Sequence, residues 1–354
     1  MTVCSSCSSF PDLSEQGALL IYCKIEFNFL VLESCIKQKY EVESDKQVLK
    51  IRYHSFTMLE QIVNDIDLLL QGNSTGVFGS WIDDQVENQP VLFPTMTPFD
   101  QLHTRISDRD FVTIINKRKF THHIQPIIQL NDGKVFGYEF LLRPKDTDYP
   151  FFPGELFAFS QRAGLQSLLD SQARIGSIEV GAKLLEEGQK RFINFLPSSI
   201  YDPNHCLKST FKVVEQFNVN PSDLVFEVVE TEKIENIDHL KKIFRTYKQH
   251  GIHVALDDIG TGYSTIEVLK ELNPNYAKID RHLVDHCDMD KEKQQKLKEI
   301  QEVANANGII LLAEGIEREE ELAYCKEIGV DLAQGYWIGR PSAHPSSNKL
   351  ITNI

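Results

Sequence analysis

The chain has 354 residues, with 37 Lys and Arg against 51 Asp and Glu, a net charge of −14, and 42% apolar residues. That composition provides ample material for a large core, in two or three domains or as one α/β barrel with a smaller partner. The negative balance excludes duplex nucleic acid held by general electrostatics, because no excess of cations exists to displace phosphate counterions, so a phosphorylated ligand has to be held by local chemistry.

The chain opens with a lone C-x-x-C pair, Cys4 and Cys7. A small zinc or redox site and simple reduced thiols both stay open for it, since Cys23, Cys35, Cys206, Cys287 and Cys325 neither repeat the spacing nor form a dense disulfide framework. The longest apolar stretch, Gly17 to Leu32, is interrupted by Lys24 and Glu26. It falls short of the roughly 20 residues a membrane span needs, and no basic segment with a cleavage site precedes it. The expectation is a cytoplasmic protein without a membrane span. Leu19 to Lys24 and Val48 to Tyr53 read as strands, and Met58 to Leu70 has apolar residues at helical spacing. Residues 1–98 are therefore expected to form a small α+β module of unreadable topology. Its connector is placed in the turn- and proline-rich stretch from Gly72 to Pro98. The polar segment from Ser107 to Phe120 is expected to be a helix entering the second domain, residues 99–354.

From Ile124 onward short apolar runs recur: IQPIIQL, KVFGYEFLL at Lys134, RFINFL at Arg191, LVFEVV at Leu224, HVALDD at His253, YAKID at Tyr276, IILLAEG at Ile309 and QGYWIG at Gln334. Amphipathic segments such as His239 to His250, Lys291 to Asn307 and Arg318 to Ile328 lie between them. Strands alternating with helices predict a parallel sheet, and about eight such units predict a closed TIM-like (β/α)8 barrel. Asn131-Asp132-Gly133 between the first two runs is a hairpin turn, which makes one strand antiparallel.

Run after run ends on a polar residue: Glu139, Asn194, Glu227, Asp257 with Asp258, Lys278 with Asp280, Glu314 and Gln334. In a parallel barrel these ends share the face where loops build active sites, so the residues should converge. Singly, each carboxylate could cap a helix or face solvent. Together, Glu139, Glu227, Asp257, Asp258 and Glu314 crowd like charges that only Lys278 offsets, and a divalent cation answers the repulsion. Oxygen donors without His or Cys favour Mg²⁺ or Mn²⁺ over zinc, and the adjacent aspartates suit a two-ion site with metals about 3.5–4 Å apart.

The segments EFL at Glu139 with Leu142-Arg143, NFLP at Asn194, EVVET at Glu227, DDIGTGY at Asp257, KID at Lys278, AEGIE at Ala313 and QGYWIGRP at Gln334 together resemble the EAL domain of bacterial cyclic di-GMP phosphodiesterases, in order, over roughly Thr121 to Ser342. The resemblance implies that Glu139, Asn194, Glu227 and Asp257 ligate one ion and Asp257, Asp258 and Glu314 a second. A water activated there would attack one phosphorus of cyclic di-GMP and open the ring to linear pGpG. It further implies that Lys278 positions the water or balances phosphate charge, that Gln334 fixes the arrangement, and that Arg143 contacts substrate phosphate, for which a guanidinium fork is apt. Glu139 and Asp280 would also face substrate, Glu230 would steady the aspartate loop, and Glu314 is either ligand or general base. A homodimer through helices beside that loop is implied as well.

Departures from the family pattern are Phe140, where a small residue is usual, Ile259 in place of Phe, and Ala158 with Ser160-Gln161 within the predicted helix Glu155 to Leu169. Phe140 is core if it points inward and narrows the guanine pocket if it points outward. These departures sustain a second reading, a weakly active or inactive domain acting as cyclic di-GMP receptor or protein-interaction module. A third reading, a phosphodiesterase for another cyclic nucleotide, is distinguishable by substrate panel. His122-His123 have no partners on the rim, no phosphate-binding glycine loop or GGDEF motif occurs, and Asp288 to Glu299 reads as a solvated charged face.

Overall fold

The structure is a computed structural model and describes residues 12–83, 96–228, 237–260 and 265–345. It divides into two compact units, one running to Lys119 and taking in Lys145–Leu169, the other comprising Phe120–Pro144 and the chain from Asp170. The Cys4-Cys7 pair lies outside the described residues.

The first unit contains β1 (Gly17–Cys23), α1 (Glu26–Ile36), β2 (Val42–Asp45), β3 (Val48–Tyr53), α2 (Phe56–Leu70), β4 (Val77–Asp83), β5 (Thr97–Pro98), α3 (Phe99–Ser107), α4 (Arg109–Asn116) and α5 (Pro153–Arg162). Its five-stranded antiparallel sheet has the order β2-β3-β1-β4-β5, so the first four strands and two helices follow a ferredoxin-like β-α-β-β-α-β path. β3 alternates, with Leu49, Ile51 and Tyr53 buried, as a strand with one covered face should. α2 starts where the Ser55 hydroxyl accepts the Met58 N–H at 3.2 Å. It buries Leu59, Ile62, Val63, Ile66 and Leu70 along one stripe. Val77–Asp83, expected within a connector, instead pairs along its whole length with β1. The strand was hidden by turn formers on its N-terminal side and by Gly79 within it. The helix expected over Glu155 to Leu169 is broken after α5: Gly164 adopts φ +63°, and a Cβ there would meet the Gln101 side chain.

The second unit contains β6 (Phe120–Gln129), β7 (Val135–Pro144), α6 (Gln166–Leu184, from Asp170), β8 (Lys190–Phe195), α7 (Pro203–Cys206), α8 (Lys208–Gln216), β9 (Leu224–Val228), α9 (Ile237–Gln249), β10 (His253–Ile259), α10 (Ile266–Leu272), β11 (Tyr276–Ile279), α11 (Arg281–Val284), α12 (Lys291–Asn307), β12 (Ile310–Ala313), α13 (Glu319–Glu327) and β13 (Leu332–Ala333). The eight strands from β6 to β13 close a barrel in sequence order. β6 is antiparallel to both neighbours, β7 and β13, and every other pairing is parallel. The hairpin turn is as expected, with Gly133 at φ +70° and its N–H on the Gln129 carbonyl. The last run is corrected: its strand is Leu332–Ala333, and Gln334 lies just past its end.

Seven inward side chains, Ile127, Phe192, Val225, Ala255, Tyr276, Leu312 and Leu332, form one apolar cluster across the barrel. Phe192, Phe136 and Tyr276 meet there ring to ring. Phe136 joins them because the β6–β7 register shifts beside Ile127. Two residues further along the parallel strands, the inward positions turn polar.

A candidate metal-dependent active site on the barrel rim

Adding two to six of those apolar positions gives Asn194, Glu227, Asp257, Lys278, Glu314 and Gln334, because side chains two apart on a strand share a face. Glu139 of β7 completes the ring. Lys278 stands at its centre, 1% exposed at the side chain, with Nζ 2.8 Å from Glu314, 3.1 Å from Glu227, 3.2 Å from Asp257 and 3.7 Å from Glu139. Gln334 Nε2 donates to Glu139 Oε2 at 2.7 Å and Asn194 Nδ2 to Oε1 at 3.3 Å. Seven expected residues, one from each strand or strand end from β7 to β13, are thus joined through Lys278 or Glu139.

The electrostatics are unbalanced. Burial would push the Glu139 carboxyl up, but Lys278 and the donated hydrogen bonds of Gln334 and Asn194 hold it below the usual range. Burial raises Glu227 well above that range, and the charges of Glu139 and Asp257 add to it against Lys278. Glu314 is raised by burial and then by Asp257 and Glu139. Burial would lower Lys278, yet the surrounding carboxylates keep its ammonium firmly protonated.

The Glu227 carboxylate is fully buried, and neither oxygen makes a hydrogen bond of good geometry, although Lys278 lies at ion-pair distance. Asp257, Asp258 and Glu314 offer carboxylate oxygens within 4.8 Å of one another. Orphaned buried acceptors beside a surplus of negative oxygen donors are what a hard divalent cation would satisfy, so the residues fit one. Asp258 takes φ +55°, its N–H donating to Asp257 Oδ1 at 3.0 Å, a left-handed turn that lets consecutive residues present carboxylates to one place. Gly260 follows at φ +100°, with no room for a Cβ beside Leu283 of α11.

Other expected residues fall elsewhere. Arg143 lies four residues beyond Glu139 on β7, its Nη1 on the Leu142 carbonyl at 2.7 Å. Asp280 caps α11, its Oδ1 accepting from the His282 N–H at 2.7 Å. Glu230 and Thr261–Ser264 lie outside the described residues. Phe140 faces away from the barrel axis and packs into the layer between barrel and α6. There it lies beside the His122 ring and over Gly181, where a Cβ would stand 3.0 Å from it. Outward-facing and buried, Phe140 is core by a route the two sequence alternatives did not combine. Asp288 is not merely solvated, since Arg318 grips it at 3.1 and 3.2 Å.

The EAL domain family model matches residues 108–341. The chain is 30% identical over 246 residues to the probable cyclic di-GMP phosphodiesterase PdeG of Escherichia coli K12, covering 67% of this chain and 47% of that protein. It is 29% identical over 249 residues to the probable cyclic di-GMP phosphodiesterase PdeB of the same organism, covering 70% and 45%. The chain thus spans about half the length of these curated relatives. Among solved structures, the c-di-GMP-bound form of a standalone EAL protein from Vibrio cholerae O395 superposes with TM-score 0.60 at 31% identity, covering 66% of this chain and 98% of that one. No helix among the described residues is long and apolar enough to cross a membrane.

Proposed function

This chain belongs to the EAL domain family, and from that premise we propose that it is a divalent-metal-dependent phosphodiesterase hydrolysing cyclic di-GMP to linear pGpG. The observation that carries the reading is the surplus of carboxylates, four of them around the buried ammonium of Lys278. Glu139, Asn194, Glu227 and Asp257 would hold one Mg²⁺ or Mn²⁺, and Asp257, Asp258 and Glu314 a second. When bound, such ions acidify a water and stabilise charge developing on the phosphoryl oxygens.

The chain's own groups prepare that chemistry. Gln334 and Asn194 orient Glu139 through its two oxygens. Lys278 keeps the carboxylates together without ions and offers a proton donor to water or phosphate when they are redistributed on binding. Arg143, further along β7, presents a fork for a phosphate above the rim. Asp280 contributes to the substrate side and Glu230 to the aspartate loop. Glu314 either completes the second ion site or accepts a proton as general base, and the pH profile of Glu314→Gln separates these roles. The proposal extends to a cytoplasmic homodimer and to residues 99–354 as the functional unit beside a module at 1–98.

Turnover with Mn²⁺ beside Glu139→Ala tests the reading. Formation of pGpG by the parent and not the variant supports it. Tight cyclic di-GMP binding without product overturns hydrolysis and favours the receptor, while preference for another cyclic nucleotide in a substrate panel overturns the specificity.

A further inference from the structure

Asn194 is the rim's one amide among the proposed metal donors, and it lies a single residue from the end of β8. What holds that end is a carboxylate on α6 that also belongs to a buried ion pair. Asp170 and Arg174 have side chains 3% and 1% exposed, with Arg174 Nη2 2.9 Å and Nε 3.0 Å from Asp170 Oδ2. The other oxygen, Oδ1, accepts the N–H of Leu196 at 2.9 Å. Arg174 Nη1 reaches on to Thr210 Oγ1 of α8 at 3.2 Å. Between Asn194 and Leu196, Phe195 is locked edge-on against Tyr247 with centroids 5.5 Å apart.

Burying such a pair costs desolvation that apolar residues of like volume avoid, so its retention calls for a role other than cohesion. Asp170 divides its work: one oxygen serves Arg174, and the other holds a backbone N–H immediately past the strand. A charged acceptor makes that bond stronger than a neutral one. We infer that Asp170 is a positioning residue that sets the exit of β8 through Leu196 and thereby holds the Asn194 amide in the geometry the metal centre needs. This rests on the reading of Asn194 as a metal donor.

The test is Mn²⁺ affinity of the full-length chain by calorimetry, with circular dichroism to verify folding. Asp170→Asn with Arg174→Met keeps an acceptor for Leu196 but removes the ion pair, whereas Asp170→Leu with Arg174→Met removes both. The first pair should bind Mn²⁺ within about twofold of the parent, and the second about tenfold more weakly, the lower end of the loss when a ligand's own hydrogen-bond partner is removed. Should the leucine pair not fold, Asp170→Ala with Arg174→Met withdraws the acceptor with a smaller side chain. Equal affinity in the pairs that differ in the acceptor, whether both match the parent or both are weakened, overturns the inference. Asn194→Ala makes the failures distinguishable. If it weakens Mn²⁺ binding while the acceptor pairs agree, only the role of Asp170 falls; if it leaves binding unchanged, the metal reading of Asn194 falls and takes the inference with it.

Discussion

The two inward rings of the barrel are one strand step apart and do opposite work. Phe192, Val225, Ala255, Tyr276, Leu312 and Leu332 bury apolar surface and hold the strands together. The positions two residues on, Asn194, Glu227, Asp257, Lys278, Glu314 and Gln334, bury charge that the protein alone does not balance. The same backbone pleat thus supplies cohesion at one level and a strained electrostatic site at the next. Stability and chemistry are separable here by a shift of two in residue number.

Mutation should expose that separation most sharply at Glu227. Glu227→Gln is expected to lower turnover of cyclic di-GMP by about 10³-fold or more. It should also raise the melting temperature of the metal-free protein, because the folded state already pushes this carboxyl toward its neutral form. Lower metal-free stability together with retained turnover would erase the contrast between the rings. One layer down the signs reverse: Phe192→Ala should cost about 3–5 kcal/mol in denaturant unfolding, through lost burial and the cavity left beside Tyr276.

A third site asks whether burial outside the rings behaves like the rim. The His122 imidazole is pushed down to about 3 by burial, with the charge of Arg143 adding to it. Between about 6.5 and 3 the unfolded chain binds a proton that the folded one refuses, so stability falls as pH is lowered through that window, by up to about 1.4 kcal/mol per unit. Denaturant midpoints measured from pH 7.5 to 4.5 should show that slope, and His122→Met should flatten it. Above pH 6.5 the residue contributes no slope. The smallest effect belongs to the surface: Glu271→Gln, which removes the carboxylate paired with Lys241 of α9, should change stability by less than about 1 kcal/mol.

Much of the barrel was legible because its strands recur as short apolar runs whose polar ends fall at regular intervals. Glu139, Asn194, Glu227, Asp257, Lys278, Glu314 and Gln334 could all be named from that pattern before any fold was drawn. Phe140 could not be placed, since strand alternation gives a direction but not what waits there; the space opened by Gly181 on α6 is a tertiary fact. The first unit was harder for physical reasons. α1 carries apolar residues such as Phe27 and Leu30 on its exposed side as well as its buried one, and Gly79 weakens the strand signal of β4. Asp170 and Arg174 left only an i, i+4 charge pair on a helix that also carries Glu179 and Lys183, a pattern more common on surfaces.

The hydrogen bond from Gln334 to Glu139 spans 195 residues of sequence. A ribosome that has translated every proposed metal donor has still not made a finished centre, because the glutamine that orients the first of them emerges last and follows a strand of only two residues, Leu332–Ala333. Contacts so distant along the chain form late. A nascent polypeptide stalled short of that point would carry all the acid with Glu139 held from one side only, by Asn194, so the proposed hydrolysis would wait until the closing strand has been synthesised and docked.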